Sequence, residues 1–116
     1  MSPGREAELA RRHPSYDASR LQDGGAACGD GWFDILDRLI GELETQHPQV
    51  QLIQVKQKIG RLRVYAEGAS EEAATSIRSA VEESGHVCEV CGAPGTLRQE
   101  ERRVATRCGH HREKAE

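Results

Sequence analysis

Aromatic residues are nearly absent: one Trp, two Tyr and one Phe among 116 residues. Hydrophobic residues make up only 36% of the chain. There is little large apolar surface to bury, and a domain of this size is already marginal on burial alone. No apolar run approaches the roughly 20 residues of a membrane helix, so no membrane partner is expected. The start, Met1 to Glu8, has no apolar stretch of the kind a signal peptide carries. A cytoplasmic location with reduced thiols is the expectation. A positive surplus is also missing, since 16 Lys+Arg face 19 Asp+Glu for a net charge of -3. That argues against a protein built mainly to coat nucleic acid. Neither a phosphate-cradling glycine loop, nor paired catalytic carboxylates, nor a Ser-His-Asp arrangement can be argued from the spacing. The chain is expected to be non-enzymatic, with no small-molecule substrate.

What is present divides into three stretches. Residues 1-27 are polar and punctuated by Pro3, Gly4, Pro14 and Gly24-Gly25. Glu6 to Arg12 favours a short helix that Pro14 would end. The stretch reads as an arm, ordered if Leu9, Tyr16 and Leu21 find a surface and flexible if they do not. Residues 28-85 carry the regular pattern. Trp32, Leu36, Leu39, Ile40 and Leu43 form one helical stripe, with Asp30 placed as its N-cap and Pro48 beyond its end. Gln49 to Glu67 alternates as a β-hairpin turning at Lys58-Ile59-Gly60-Arg61. Leu52 beside Ile53 breaks the alternation, which a bulge can absorb. Ser70 caps a second helix with a narrow stripe of Ala74, Ile77 and Val81, Ala73 and Ala80 beside it, stopped by Gly85.

Residues 86-116 differ in kind. Cys88-Glu89-Val90-Cys91-Gly92 is a C-x2-C followed by Gly, and Cys108-Gly109-His110-His111 supplies C-x2-H after a gap of sixteen residues. Two tight pairs so separated can bring four ligands to one point, and three thiolates with one imidazole suit tetrahedral Zn2+. Cys88, Cys91, Cys108 and His111 are the expected ligands, with His110 the rival fourth and His86 a weaker third. A disulfide framework is disfavoured by the compartment. A redox Cys-x-x-Cys is disfavoured because Gly92-Ala93-Pro94-Gly95 reads as a loop rather than a helix start. Four protein ligands leave no open position, so the metal is expected to be structural. Thr96-Leu97-Arg98 and Arg103 to Thr106 read as short strands, and residues from His110 onward as the start of a last helix. The fold class is thus α+β: a helix–hairpin–helix domain closed by a zinc-ribbon or treble-clef-like module.

Candidate contact residues follow from charge. Lys56, Lys58, Arg61 and Arg63, with Tyr65, make the best basic patch, and Arg98, Arg102, Arg103 and Arg107 add to it from the last module. These suit phosphate or an acidic protein surface, against the plainer reading of a solvated sheet face. Asp34 and Asp37 can form an acidic docking face, against capping and dipole complementarity as the plainer account. Trp32 is expected in the core, Phe33 is the better exposed candidate, and Cys28 reads as a small buried residue.

The strings Cys28-Gly29-Asp30-Gly31-Trp32, Gln54 to Tyr65, Cys88 to Gly95 and Cys108-x-x-His111 together resemble a family of small, mostly uncharacterised phage and prophage proteins. The likeness covers residues 28 to 111. It implies a mobile-element accessory protein made in a bacterial host cell, whose partner is a host or phage macromolecule such as an antiviral complex of the CRISPR kind. A nucleic-acid-binding regulator using the hairpin and zinc-module arginines is the alternative.

Overall fold

A computed structural model describes residues 1–100 and 103–111, the side chains of Glu100 and Arg103 excepted. The expected last helix from His110 onward falls largely on residues 112–116, outside the described residues. The chain is mixed α+β: α1 (Pro3–Arg12), β1 (Ala26–Ala27), α2 (Phe33–Gln46), β2 (Gln51–Lys58), β3 (Arg61–Glu67), α3 (Glu71–Ser84), β4 (Thr96–Glu100) and β5 (Arg103–Arg107). One sheet has the order β1-β2-β3, and a second consists of β4 and β5. Among the described residues, no helix is long and apolar enough to cross a membrane.

The hairpin forms where the alternation places it. Val55 pairs with Val64 and Lys58 with Arg61, and the register slips between Leu52 and Gln54, where the extra residue Ile53 is absorbed as a bulge. The two turn residues, Ile59 and Gly60, have φ of 53° and 79°. Positive φ at both central positions suits the right-handed twist of a two-residue hairpin. Gly60 accepts it freely, whereas a β-branched Ile59 sits there under strain. The bulk of the core lies on one face of this sheet, where Val55 and Leu62 are fully enclosed with Leu36, Ile40 and Trp32. In α3 the deepest residues are Ala73, Ala80 and Ser84. The stripe is rotated from the expected Ala74, Ile77 and Val81, which are half-buried. Small side chains let the helix approach β3 closely, and Ser84 Oγ accepts from the Leu62 amide at 2.9 Å.

Residues 1-27 are integral to the fold. Leu9, Tyr16 and Leu21 join the main core, so the ordered form of the arm is the one observed. Glu6 ties the segment together, accepting from the Tyr16 hydroxyl at 2.6 Å and from the Ala26 amide at 2.7 Å. Because α1 covers a second side of α2, Phe33 is buried at 2% exposure rather than exposed. The guanidiniums of Arg5 and Arg12 lie 4.3 and 5.3 Å from its ring centroid, a favourable cation–π arrangement. Asp30 does not cap α2: its carboxylate accepts from the Ser2 amide at 2.7 Å, and a 3-10 turn (Asp30–Trp32) leads into the helix instead.

Asp37 is likewise not a free docking residue. It holds His13 Nε2 at 2.6 Å and Arg12 at 2.9 Å, while Glu44 holds His13 Nδ1 at 3.0 Å and the Ser15 amide at 2.7 Å. Gly41 makes room for the ring, whose Cε1 lies 3.4 Å from where a Cβ would stand. A neutral ring can donate to only one of these two carboxylates. Burial alone would raise the Asp37 and Glu44 carboxyls. The hydrogen bonds from His13, with Arg12 on Asp37 and Ser15 on Glu44, outweigh it and hold both below their ordinary 3.8 and 4.5. A depressed native pKa contributes stability that is present above the unfolded value and is lost as pH falls through the native one. The urea midpoint is therefore expected to fall as pH drops below 4.5 and then 3.8. Asp37→Asn should flatten that limb, and an unchanged slope in the variant would remove the network from the account.

Candidate metal centre

The chain leaves α3 through Gly85 and enters the first knuckle, where close backbone packing dictates the shape. The Cys88 amide donates to the Ala93 carbonyl at 2.8 Å and the Gly92 amide to the Cys88 carbonyl at 2.9 Å. Gly92 has φ of 82°, a left-handed turn that costs glycine nothing. The second pair lies at the end of β5, where the His111 amide donates to the Cys108 carbonyl at 3.2 Å. Strands β4 and β5, in register from Thr96 opposite Arg107 to Glu100 opposite Arg103, return the chain so that the two pairs meet.

The donor atoms of Cys88, Cys91, Cys108 and His111 all lie within 4.8 Å of one another, so this quartet can hold a metal ion. Cys91 Sγ is 3.8 Å from Cys108 Sγ, and His111 Nδ1 is 3.8 Å from Cys88 Sγ and 3.3 Å from Cys108 Sγ. The imidazole therefore faces the cluster through Nδ1. Neither His110 nor His86 is part of the quartet, and both are exposed. Burial works to raise the Cys88 thiol, but backbone hydrogen bonds at Cys108, Cys91 and Val90 outweigh it and leave the thiol below its ordinary value. Cys28, by contrast, lies outside the cluster, and burial pushes its thiol up to about 12. It is a packed core residue.

The sequence reading missed what the first knuckle rests on. The loop Cys28 to Trp32 docks directly against it. The Gly31 amide donates to the Glu89 carbonyl at 2.7 Å, the Gly29 amide to Glu89 Oε2 at 2.9 Å, and Trp32 Nε1 to the Val87 carbonyl at 2.9 Å. Glu89 is buried, and its other oxygen accepts from Arg107 at 3.0 Å. Thr106 Oγ1 donates to the Gly60 carbonyl at 2.7 Å, tying β5 to the hairpin tip. A glycine-flanked acid so far from Glu89 in the chain was the one available signal, and it fits a helix cap equally well.

The candidate contact residues are dispersed. Lys56, Lys58, Arg63 and Tyr65 stand on the sheet face away from the core, Lys56 half-buried and Tyr65 46% exposed. Arg61 is half-buried and reaches the end of α3, 4.0 Å from Glu82. Arg98 is half-buried, with Nε 3.4 Å from the Arg107 carbonyl. Asp34 is exposed on α2. Arg102 and the side chain of Arg103 lie outside the described residues.

Comparisons with protein-family models, with curated proteins and with solved structures find no match. What the fold and site define is a class: a mixed α+β chain with a Cys3His cluster able to bind a metal ion.

Proposed function

We propose that the chain is a non-enzymatic binding protein stapled by structural Zn2+, the cluster being a zinc-ribbon or treble-clef-like module. Zinc fits the donors: thiolate bonds of about 2.3 Å in a tetrahedron imply sulfur–sulfur edges of about 3.8 Å, and the Cys91–Cys108 edge is 3.8 Å. With all four positions taken by protein, the ion would supply folding energy rather than an activated water. Cys88, Cys91, Cys108 and His111 would hold it.

The particular reading is a phage or prophage accessory protein that engages a macromolecule of its bacterial host, such as an antiviral defence complex. Its origin rests on the resemblance above. The binding face rests on one observation. On the outer side of the sheet Lys56 stands directly opposite Arg63, whereas Arg61, opposite Lys58, turns its guanidinium to the end of α3. Like charges paired across strands are destabilising, and an acidic partner surface would relieve them. Tyr65, exposed beside Arg63, keeps a nucleic-acid reading as the second, since a base can stack on such a ring.

Affinity capture from nuclease-treated host lysate tests this with wild type and a Lys56→Glu/Arg63→Glu double variant. A partner retained at low salt by wild type and lost by the variant is the expected result. Equal capture by both would overturn the assignment of the face. Binding only when nuclease is omitted would favour the nucleic-acid reading.

A further inference from the structure

The three cysteines of the cluster differ in access. Cys88 is fully enclosed and Cys108 is 8% exposed, whereas Cys91 is open to solvent. They differ in tethering as well. The Cys88 amide and carbonyl are both hydrogen-bonded within the knuckle, to Ala93 and Gly92. Among the described residues, no hydrogen bond holds the amide or carbonyl of Cys91. Cys108 Sγ lies 3.8 Å from Cys91 Sγ, and a Cβ on the following Gly109 would meet nothing within 4 Å. One sulfur is therefore reachable from solvent, its backbone is free to follow it, and the sulfur beside it has room to shift. Bonding requires the two to close to about 2.05 Å. Cys28 does not compete: it lies outside the cluster, and burial that pushes its thiol up to about 12 leaves it inert.

A metal-bound thiol is held as thiolate, the nucleophilic form. We propose that Cys91 is a site of oxidative modification, at which hydrogen peroxide converts the Cys91–Cys108 pair to a disulfide and releases the metal. The proposal rests on the structural-zinc reading. The Cys91 sulfur attacks one peroxide oxygen: an S–O bond forms, the O–O bond breaks, and the departing hydroxide takes a proton to become water. The Cys108 sulfur then attacks the Cys91 sulfenic acid: the S–S bond forms, the S–O bond breaks, and a second hydroxide leaves and is protonated to water. Two electrons pass from the two sulfurs to the peroxide. Only Cys88 and His111 remain as donors, too few to close a tetrahedron. The residues beside the pair carry the change into the domain. Arg107, next to Cys108, donates to Glu89 Oε1 at 3.0 Å, and Glu89 Oε2 accepts from the Gly29 amide at 2.9 Å. Drawing Cys108 toward Cys91 pulls on this chain and so on the loop that leads to Trp32.

The test treats the full zinc-loaded chain with hydrogen peroxide at neutral pH and follows zinc release with a chromogenic chelator. Release should keep step with the loss of two thiols. Peptide mapping should find Cys91 joined to Cys108, with Cys28 and Cys88 still free to be alkylated. An ordinary thiol is only a few per cent ionised at neutral pH, so release should run about tenfold or more faster than the oxidation of glutathione. Trp32 emission should red-shift with release, and dithiothreitol with added zinc should reverse it. Cys108→His replaces the second sulfur by an imidazole and keeps four donors suited to zinc. It should stop at a sulfenic acid on Cys91, trapped by dimedone. Cys91→His should slow release about tenfold or more. If either variant takes up no metal, the wild-type peptide map decides alone. A Cys88–Cys91 disulfide would overturn the assignment of the pair. Zinc retained while glutathione is fully oxidised would overturn the modification site and leave the structural metal standing. A freshly purified chain without zinc would bring down the metal reading, and this proposal with it.

Discussion

Removing the metal is expected to abolish cooperative unfolding of the whole chain, not merely to loosen its end. Structural zinc contributes an apparent ~10–16 kcal/mol in finger peptides, against a net stability of roughly 5–15 kcal/mol for a typical domain. The cluster is not an appendage, because the knuckle that carries Cys88 receives hydrogen bonds from Gly31, Gly29 and the Trp32 indole, and β5 is anchored to the hairpin turn. Trp32 is the sole tryptophan, fully buried in the core and bonded through Nε1 to the Val87 carbonyl, so its emission reports on the junction of core and knuckle, and the thermal transition reports on the whole chain. Treatment with a strong chelator, or the Cys88→Ser/Cys91→Ser double variant, should red-shift that emission and replace the thermal transition by a broad, non-cooperative one. Freshly purified wild type should carry one zinc per chain. An intact transition in the double variant, lowered by no more than about 1 kcal/mol, would show that the interior stands alone and that the ion is incidental to it.

The parts of this structure that were legible in the sequence are those encoded by neighbours in the chain. The hairpin, its two-residue turn at Ile59-Gly60 and the slip at Ile53 follow from period-two alternation and the one place it fails. The four clustered donors follow from two short Cys/His pairs with glycine at the turn. The parts left open or misread are those decided by distant contacts. Leu9, Tyr16 and Leu21 share no period because the chain turns between them, so nothing local marks them as core. Phe33 falls off the apolar stripe of α2 and reads as exposed, yet α1 covers that side of the helix. Asp37 looks free on a helical wheel but is held by Arg12 of α1 and by His13 just after it. Asp30 has the right residue type and position for a cap, and an amide from the start of the chain takes it instead. In each case a local preference is satisfied equally well by two arrangements, and tertiary packing chooses.

The same logic makes Gly31 the residue whose smallest substitution should do the most damage. Its amide hydrogen-bonds the Glu89 carbonyl, and an added Cβ would stand 2.1 Å from the Cys88 carbonyl oxygen and 2.6 Å from the carbonyl carbon and oxygen of Glu89. These are backbone atoms of the knuckle, held in place by the Ala93 and Thr106 carbonyls, so they cannot swing aside as a flexible side chain would. Either the knuckle retreats and breaks its hydrogen bonds to the loop, or the loop retreats and withdraws Trp32 from the core. Overpacking of this kind costs about 1–3 kcal/mol even where side chains can adjust. Against rigid backbone, Gly31→Ala should cost at least about 3 kcal/mol. Gly109→Ala supplies the matched control in the same module, since a Cβ there meets nothing within 4 Å, and it should change stability by less than about 0.5 kcal/mol. Both variants keep all four metal donors, so denaturant midpoints measured at equal zinc content separate steric from coordination effects. A Gly31→Ala midpoint matching wild type would mean that the loop and the knuckle do not bear on one another, and that the metal module and the domain fold as separate parts.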